Sequence, residues 1–156
     1  MTKLAVGDKA PAFTLKDQNG KAVKLSGAKG HRVVVYFYPK ADTPGCTQQS
    51  CSLRDAFPQL KKLNAVVFGI SPDPVEKQKK FDDKYGLGFP LLCDTDHAVA
   101  EAFGVWGEKS LYGRKFMGIV RSAFVIDEKG KLAGVFYKVS PKDTVPKVER
   151  VLQDMG

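Results

Sequence analysis

The sequence is poor in the residues that staple small proteins or hold metals. Its 156 residues include three cysteines, two histidines and one tryptophan. Three cysteines are too few for a disulfide scaffold. Cys46, Cys51 and Cys93 must therefore be structural, catalytic or redox-sensing thiols. Cys46 and Cys51 are five positions apart, not the two to four of a zinc knuckle, and neither His31 nor His97 stands at a ligand spacing from them. No metal is expected. A Gly-rich dinucleotide fingerprint is missing too, which argues against direct use of a nicotinamide, and no cofactor is expected. No apolar run approaches the ~20 residues that span a bilayer. The first ten residues, Met1 to Ala10, lack the apolar core of a secretory leader. A cytoplasmic location is the expectation.

What is present is ordinary for a water-soluble chain, with 43% hydrophobic and 27% charged residues. The length fits one domain over residues 1–156, burying roughly 70% of the surface of the unfolded chain. The formal charge of +8 could favour nucleic acid. Yet the lysines are scattered, and the densest clusters, Lys61-Lys62 and Lys77 to Lys84, are mixed with apolar residues or with Glu76, Asp82 and Asp83. They read as solvated helix faces, and no nucleic-acid motif accompanies them.

Apolar strands alternate with helical patterns, which predicts a layered α/β domain. Arg32 to Tyr38 and Ala65 to Ile70 are continuous β-branched and aromatic runs, the pattern of central strands covered on both faces. Phe89 to Leu92 is a short third strand. Ser122 to Ile126 and Lys131 to Tyr137 flank Asp127-Glu128-Lys129-Gly130, a hairpin signal. Phe13 to Leu15 and Ala22 to Leu25 flank Asp17-Gln18-Asn19-Gly20 and predict an N-terminal hairpin. Helices are predicted over Thr47 to Leu63, with Pro58 bending or resetting the helix, and over Val75 to Tyr85, His97 to Phe103 and Asp143 to Met155. The segment from Gly104 to Gly118 gives no clear period. This order fits a thioredoxin-like fold: a central mixed sheet, flanking helices and an added N-terminal β-hairpin.

The stretch from Pro39 to Cys51 begins where a buried strand ends and a helix starts, the place where open α/β sheets build their sites. A cysteine in a first helical turn faces unpaired N–H groups and the positive end of the helix dipole, and both favour thiolate, the reactive form. Thr43 lies three residues before Cys46, close enough for its hydroxyl to reach the sulfur or a bound oxygen. Pro39 and Pro44 stiffen the loop and remove competing donors. On these grounds alone Cys46 could equally be a small buried hydrophobe beside a Thr-Pro-Gly turn, and Arg121 reads as a surface charge on a strand.

The motif Pro39-x-x-x-Thr43-x-x-Cys46 resembles the active-site signature of the peroxiredoxins. Its continuation to Asp55 resembles the bacterioferritin comigratory protein, or peroxiredoxin Q, branch of that family. So do Phe103-Gly-Val-Trp-Gly-Glu-Lys109 and Arg121-Ser-Ala-Phe-Val-Ile-Asp127, and the likeness runs from Gly7 to the last helix. It implies a thiol peroxidase. In it Cys46 attacks a hydroperoxide oxygen and becomes a sulfenic acid. Thr43 holds the peroxide, Arg121 stabilises the thiolate and the charge developing on the breaking O–O bond, and Pro39 shields the pocket.

The resemblance also makes Cys51 the resolving cysteine, with the intramolecular disulfide recycled by thioredoxin or a similar dithiol. Residues i and i+5 of a helix have Cα atoms roughly 8–9 Å apart, beyond the ~7 Å reach of a disulfide. The first turns are therefore expected to unwind on oxidation. Cys93 reads as an inert strand-end thiol, although some relatives resolve from elsewhere, which leaves it as the runner-up. The family resemblance further implies a monomer. A peroxide sensor or redox relay using the same cysteine switch is the alternative function.

Overall fold

The computed structural model describes residues 3–156. In chain order the elements are β1 (Thr14–Lys16), β2 (Ala22–Lys24), β3 (Arg32–Phe37), α1 (Pro44–Lys62), β4 (Ala65–Ser71), α2 (Val75–Tyr85), β5 (Leu91–Cys93), α3 (Ala98–Ala102), β6 (Trp106–Leu111), β7 (Arg114–Ile119), β8 (Ser122–Ile126), β9 (Leu132–Phe136) and α4 (Thr144–Asp154). Seven strands form one mixed sheet in the order β2-β1-β5-β4-β3-β8-β9. β3, β4 and β5 run parallel, and β8 pairs antiparallel with β3 on its other side. The sheet is the thioredoxin-like one the sequence predicts.

β3 lies inside the sheet between β4 and β8, and every one of its residues is buried. Its side chains alternate between two cores, as a period of two requires. Val33, Val35 and Phe37 pack with Phe103, Phe124 and α3 on one face. Val34, Tyr36 and Tyr38 pack with Leu53 and Leu60 of α1, Phe81 of α2 and Val148 and Leu152 of α4 on the other. β4 packs closely against Tyr36 of β3. A Cβ on Gly69 would fall 2.7 Å from the Tyr36 hydroxyl oxygen, so only glycine fits there.

The two hairpins predicted from Asp-x-x-Gly turns share one mechanism. Asp17 Oδ1 accepts from the N–H of Asn19 and Lys21, and Asp127 Oδ1 accepts from that of Lys129 and Lys131. Gly20 and Gly130 supply the positive φ that closes each turn. The N-terminal hairpin joins the sheet at β5 through Lys16 and Cys93. Buried Gln18 stitches it down, accepting from the Leu91 N–H at 2.8 Å and donating to the Phe89 carbonyl at 3.0 Å.

Three expectations need correction. α1 begins at Pro44, three residues earlier than predicted, because Pro44 occupies N1, where proline's fixed φ suits a helix start. The helix also runs through Pro58 to Lys62 without interruption. The segment without a period is a separate two-stranded sheet, β6 with β7. Its turn, Tyr112-Gly113, has positive φ at both residues, the type I′ geometry that matches strand twist.

Candidate active site

The end of β3, the loop after it and α1 carry Pro39, Thr43, Cys46 and Cys51. Cys46 is the third residue of α1 and is only 1% exposed. Thr43 is the N-cap, with extended backbone and no side-chain cap bond. The first helical hydrogen bond is Thr47 N–H to the Thr43 carbonyl at 2.8 Å. The N–H groups of Gly45 and Cys46 precede it, at the open, electropositive end of the helix.

Arg121 is not on a strand. It lies in the connection between β7 and β8, its carbonyl fixed by the Val139 N–H at 3.0 Å. Its Nη2 donates to Cys46 Sγ at 3.4 Å and its Nη1 to Gln49 Oε1 at 2.8 Å. Gln49 is fully buried and donates in turn to Thr144 Oγ1 at 3.1 Å, while Thr144 donates to the Ser140 carbonyl at 2.9 Å. The sulfur is thus tied through a planar, permanently charged fork to the base of α4. A Cβ on Gly45 would lie 3.1 Å from Arg121 Nη2. Glycine therefore lets the guanidinium lie against the helix start.

Sequence reasoning missed both Gln49 and the closeness of Gly45 to Arg121. The available signal for Gln49 was its position three residues after Cys46, hence on the same helix face.

Thr43 stands beside the cysteine turn, but its hydroxyl donates to the Lys40 carbonyl at 2.8 Å rather than to sulfur. That commits its proton and leaves its oxygen as an acceptor. Pro39, half-buried, follows the last buried residue of the strand run, Tyr38. Beneath the helix, Tyr36 shares a hydrogen bond with Ser50 at 2.8 Å. Burial drives the Tyr36 phenol far above its usual range, with Ser50 opposing and the nearby Cys46 and Cys51 adding to the rise. It is a neutral hydroxyl beside both thiols.

One further cation lies nearby. Lys109, on β6, donates from Nζ to the Ile119 carbonyl at 2.9 Å, two residues before Arg121. Burial first, then the Arg121 charge, hold its ammonium below the usual lysine range, and Cys46 pulls it back up.

All three cysteines are free thiols. Cys51 is half-buried on α1, within the same helix as Cys46. Cys93 closes β5, two strands from β3, with its sulfur 4.0 Å from the Asp17 carbonyl. Burial, reinforced by Asp17, Asp73 and Glu76, pushes its thiol up to about 11. A surface concavity of about 320 Å³ lies by Lys9, His31 and Glu128 and touches none of these groups. No helix of the described residues is long and apolar enough to cross a membrane.

A buried sulfur at a helix start, faced by an arginine fork, sits on a thioredoxin fold, and the relatives of this chain make it a thiol-dependent peroxidase. The model of the AhpC/TSA family matches residues 6–135, and the chain belongs to that family, among its Bcp and peroxiredoxin Q members. It is 53% identical over 143 residues to a putative peroxiredoxin Bcp of Haemophilus influenzae, covering 92% of each chain. Peroxiredoxin Bcp of Bacillus subtilis is 47% identical over 98% of each. Among solved structures, BcpB of Mycobacterium tuberculosis superposes with a TM-score of 0.87 at 37% identity, covering 97% of each chain. The bacterioferritin comigratory protein of Xanthomonas campestris, studied for its alkyl peroxide reduction, superposes with a TM-score of 0.87 at 34% identity, covering 92% of this chain and 91% of that one.

Proposed function

We propose that the protein reduces hydrogen peroxide and organic hydroperoxides through Cys46 and resolves the product through Cys51. The observation that carries this reading is the Arg121 guanidinium, 3.4 Å from the Cys46 sulfur and braced at 2.8 Å by Gln49. In the first step the Cys46 thiolate attacks one peroxide oxygen. An S–O bond forms, the O–O bond breaks, and the departing oxygen leaves as water or an alcohol after taking a proton. Arg121 holds donors on the sulfur and toward the charge developing on the breaking bond. The Thr43 oxygen accepts the hydrogen bond of the incoming hydroperoxide, and Pro39 covers the pocket. The alkyl peroxide activity of the Xanthomonas relative supports including organic substrates.

In the second step the Cys51 sulfur attacks the sulfenic acid, releasing water and forming the Cys46–Cys51 disulfide. Both residues sit on an intact α1 in the reduced protein. The bond therefore requires the first turns of that helix to open. Thiol–disulfide exchange with thioredoxin or a similar dithiol restores the two thiols. The protein acts as a single-domain monomer in the cytoplasm.

The test is mass spectrometry after one equivalent of hydrogen peroxide. Wild type should yield a Cys46–Cys51 disulfide, and Cys51→Ser a sulfenic acid at Cys46. A Cys46–Cys93 bond in wild type would transfer the resolving role, and an unreactive Cys46 would end the reading.

A further inference from the structure

The peroxidatic loop and the far side of Cys51 are fastened to the same turn of α2. Asp42 directly precedes Thr43 and has φ +60, a left-handed conformation unfavourable for a residue with a side chain. Its carboxylate accepts from Lys84 Nζ at 3.0 and 3.2 Å and from the Tyr85 hydroxyl at 3.0 Å. Lys84 and Tyr85 are the last two residues of α2. Beyond Cys51, Arg54 Nη1 donates to the Tyr85 carbonyl at 2.7 Å. The same turn thus holds residue 42 and residue 54, and everything between them contains the two thiols. The Tyr85 ring is itself seated edge-on against buried Phe81. A second strut reaches the loop from buried Asp73, which accepts from the Ala41 N–H at 2.7 Å.

We infer that the last turn of α2 is a latch: Lys84, Tyr85 and Arg54 are positioning residues that hold the 42–54 segment closed over Cys46 and set how readily it opens to bring Cys51 to the sulfur. This rests on the two-thiol reading above. The physical case is one of balance. Opening α1 must break the Gln49 and Ser50 side-chain bonds and release Asp42 from its strained conformation. The strain favours opening, and the Lys84 and Tyr85 contacts oppose it. Exposed ion pairs are weak, but a small bias acts directly on the fraction of open molecules. Removing the Asp42 contacts should raise that fraction about two- to fivefold.

The latch has a chemical consequence. The sulfenic acid at Cys46 has two fates. Cys51 can displace water to give the disulfide, or a second hydroperoxide can transfer one oxygen to give the sulfinic acid and an alcohol or water. Opening serves only the first. A looser latch should therefore shift the product ratio toward disulfide at high peroxide.

The test uses the full chain as Lys84→Ala/Tyr85→Phe, which leaves every group around Cys46 in place, with Lys84→Arg as the conservative control and Arg54→Ala for the downstream tether. Two readouts are taken. Hydrogen exchange of the amides of residues 47–51 in the reduced protein should accelerate about two- to fivefold in the double variant and in Arg54→Ala. The disulfide-to-sulfinate ratio at high peroxide should rise by the same factor, and Lys84→Arg should restore both values. Unchanged exchange with an unchanged ratio would overturn the latch. If wild type forms no Cys46–Cys51 disulfide, the two-thiol reading fails by itself, and the exchange arm still decides whether the latch exists.

Discussion

Cys46 and Cys93 are both buried thiols, 1% and 9% exposed, and they differ in what surrounds the sulfur. Cys46 meets a guanidinium and a helix start; Cys93 meets a carbonyl and carboxylates. With its thiol pushed up to about 11, Cys93 keeps its proton through the physiological range. At pH 8 about one molecule in a thousand carries the thiolate there. Its alkylation rate in the folded protein should climb about tenfold per pH unit up to about pH 11, and peptide mapping after iodoacetamide at pH 8 should find Cys93 labelled last. Preferential labelling of Cys93 would contradict that assignment. Arg121 gives a second residue-level expectation. Arg121→Met should lower kcat/KM for hydrogen peroxide about 10²- to 10³-fold, the loss seen when one preorganised donor is removed. Arg121→Lys should recover only part, because an ammonium cannot reach Sγ and Gln49 Oε1 together in the fork geometry. Gly45→Ala separates function from folding. Its new methyl would crowd Nη2 and should slow peroxide reduction about tenfold, with stability to urea within about 1 kcal/mol of wild type.

At the scale of elements, α1 is fastened along its length by Gln49, Ser50 and Arg54 and has no side-chain cap at its start. Ser50→Ala would leave the buried Tyr36 hydroxyl without its partner, at a cost of about 1–3 kcal/mol. A lower midpoint in urea together with faster disulfide formation after peroxide is the expected pair of results. The β6–β7 hairpin is tied at its base by Lys109, whose Nζ donates to the Ile119 carbonyl. These elements were unequally legible in the sequence. β3, β4 and β8 are short apolar runs rich in β-branched and aromatic residues, the pattern of strands buried on both faces. The β6–β7 hairpin was hidden because its strands carry Gly107, Lys109, Arg114 and Lys115 on a ribbon that is mostly exposed, so no core imposes a period. At the site, Thr43 and Cys46 stood out by their place at a helix start, whereas Arg121 entered only through the family resemblance, since alone it reads as a surface charge. Gln49, Asp42 and Tyr85 were not legible, because a polar residue on a helix or loop reads as solvated until its partner, distant in sequence, is known.

Over the whole molecule, the formal charge of +8 shapes encounters more than folding. Hydrogen peroxide is neutral, so its reaction with Cys46 should change little between about 0.01 and 0.15 M salt, where the Debye length falls from about 30 to about 8 Å. Reduction by an acidic dithiol protein should slow over the same range. Stopped-flow measurement of the two half-reactions would separate them, and equal salt dependence in both would exclude steering of the reductant. The sheet also carries a constraint that no single position reveals. The Tyr36 hydroxyl occupies the volume that a side chain at Gly69 would need, and the same phenol braces Ser50 beneath the cysteine helix. Two neighbouring strands share one side chain's worth of space. Exchange at either position alone meets a clash or a void, so among relatives the residues at 36 and 69 should change as a pair or not at all.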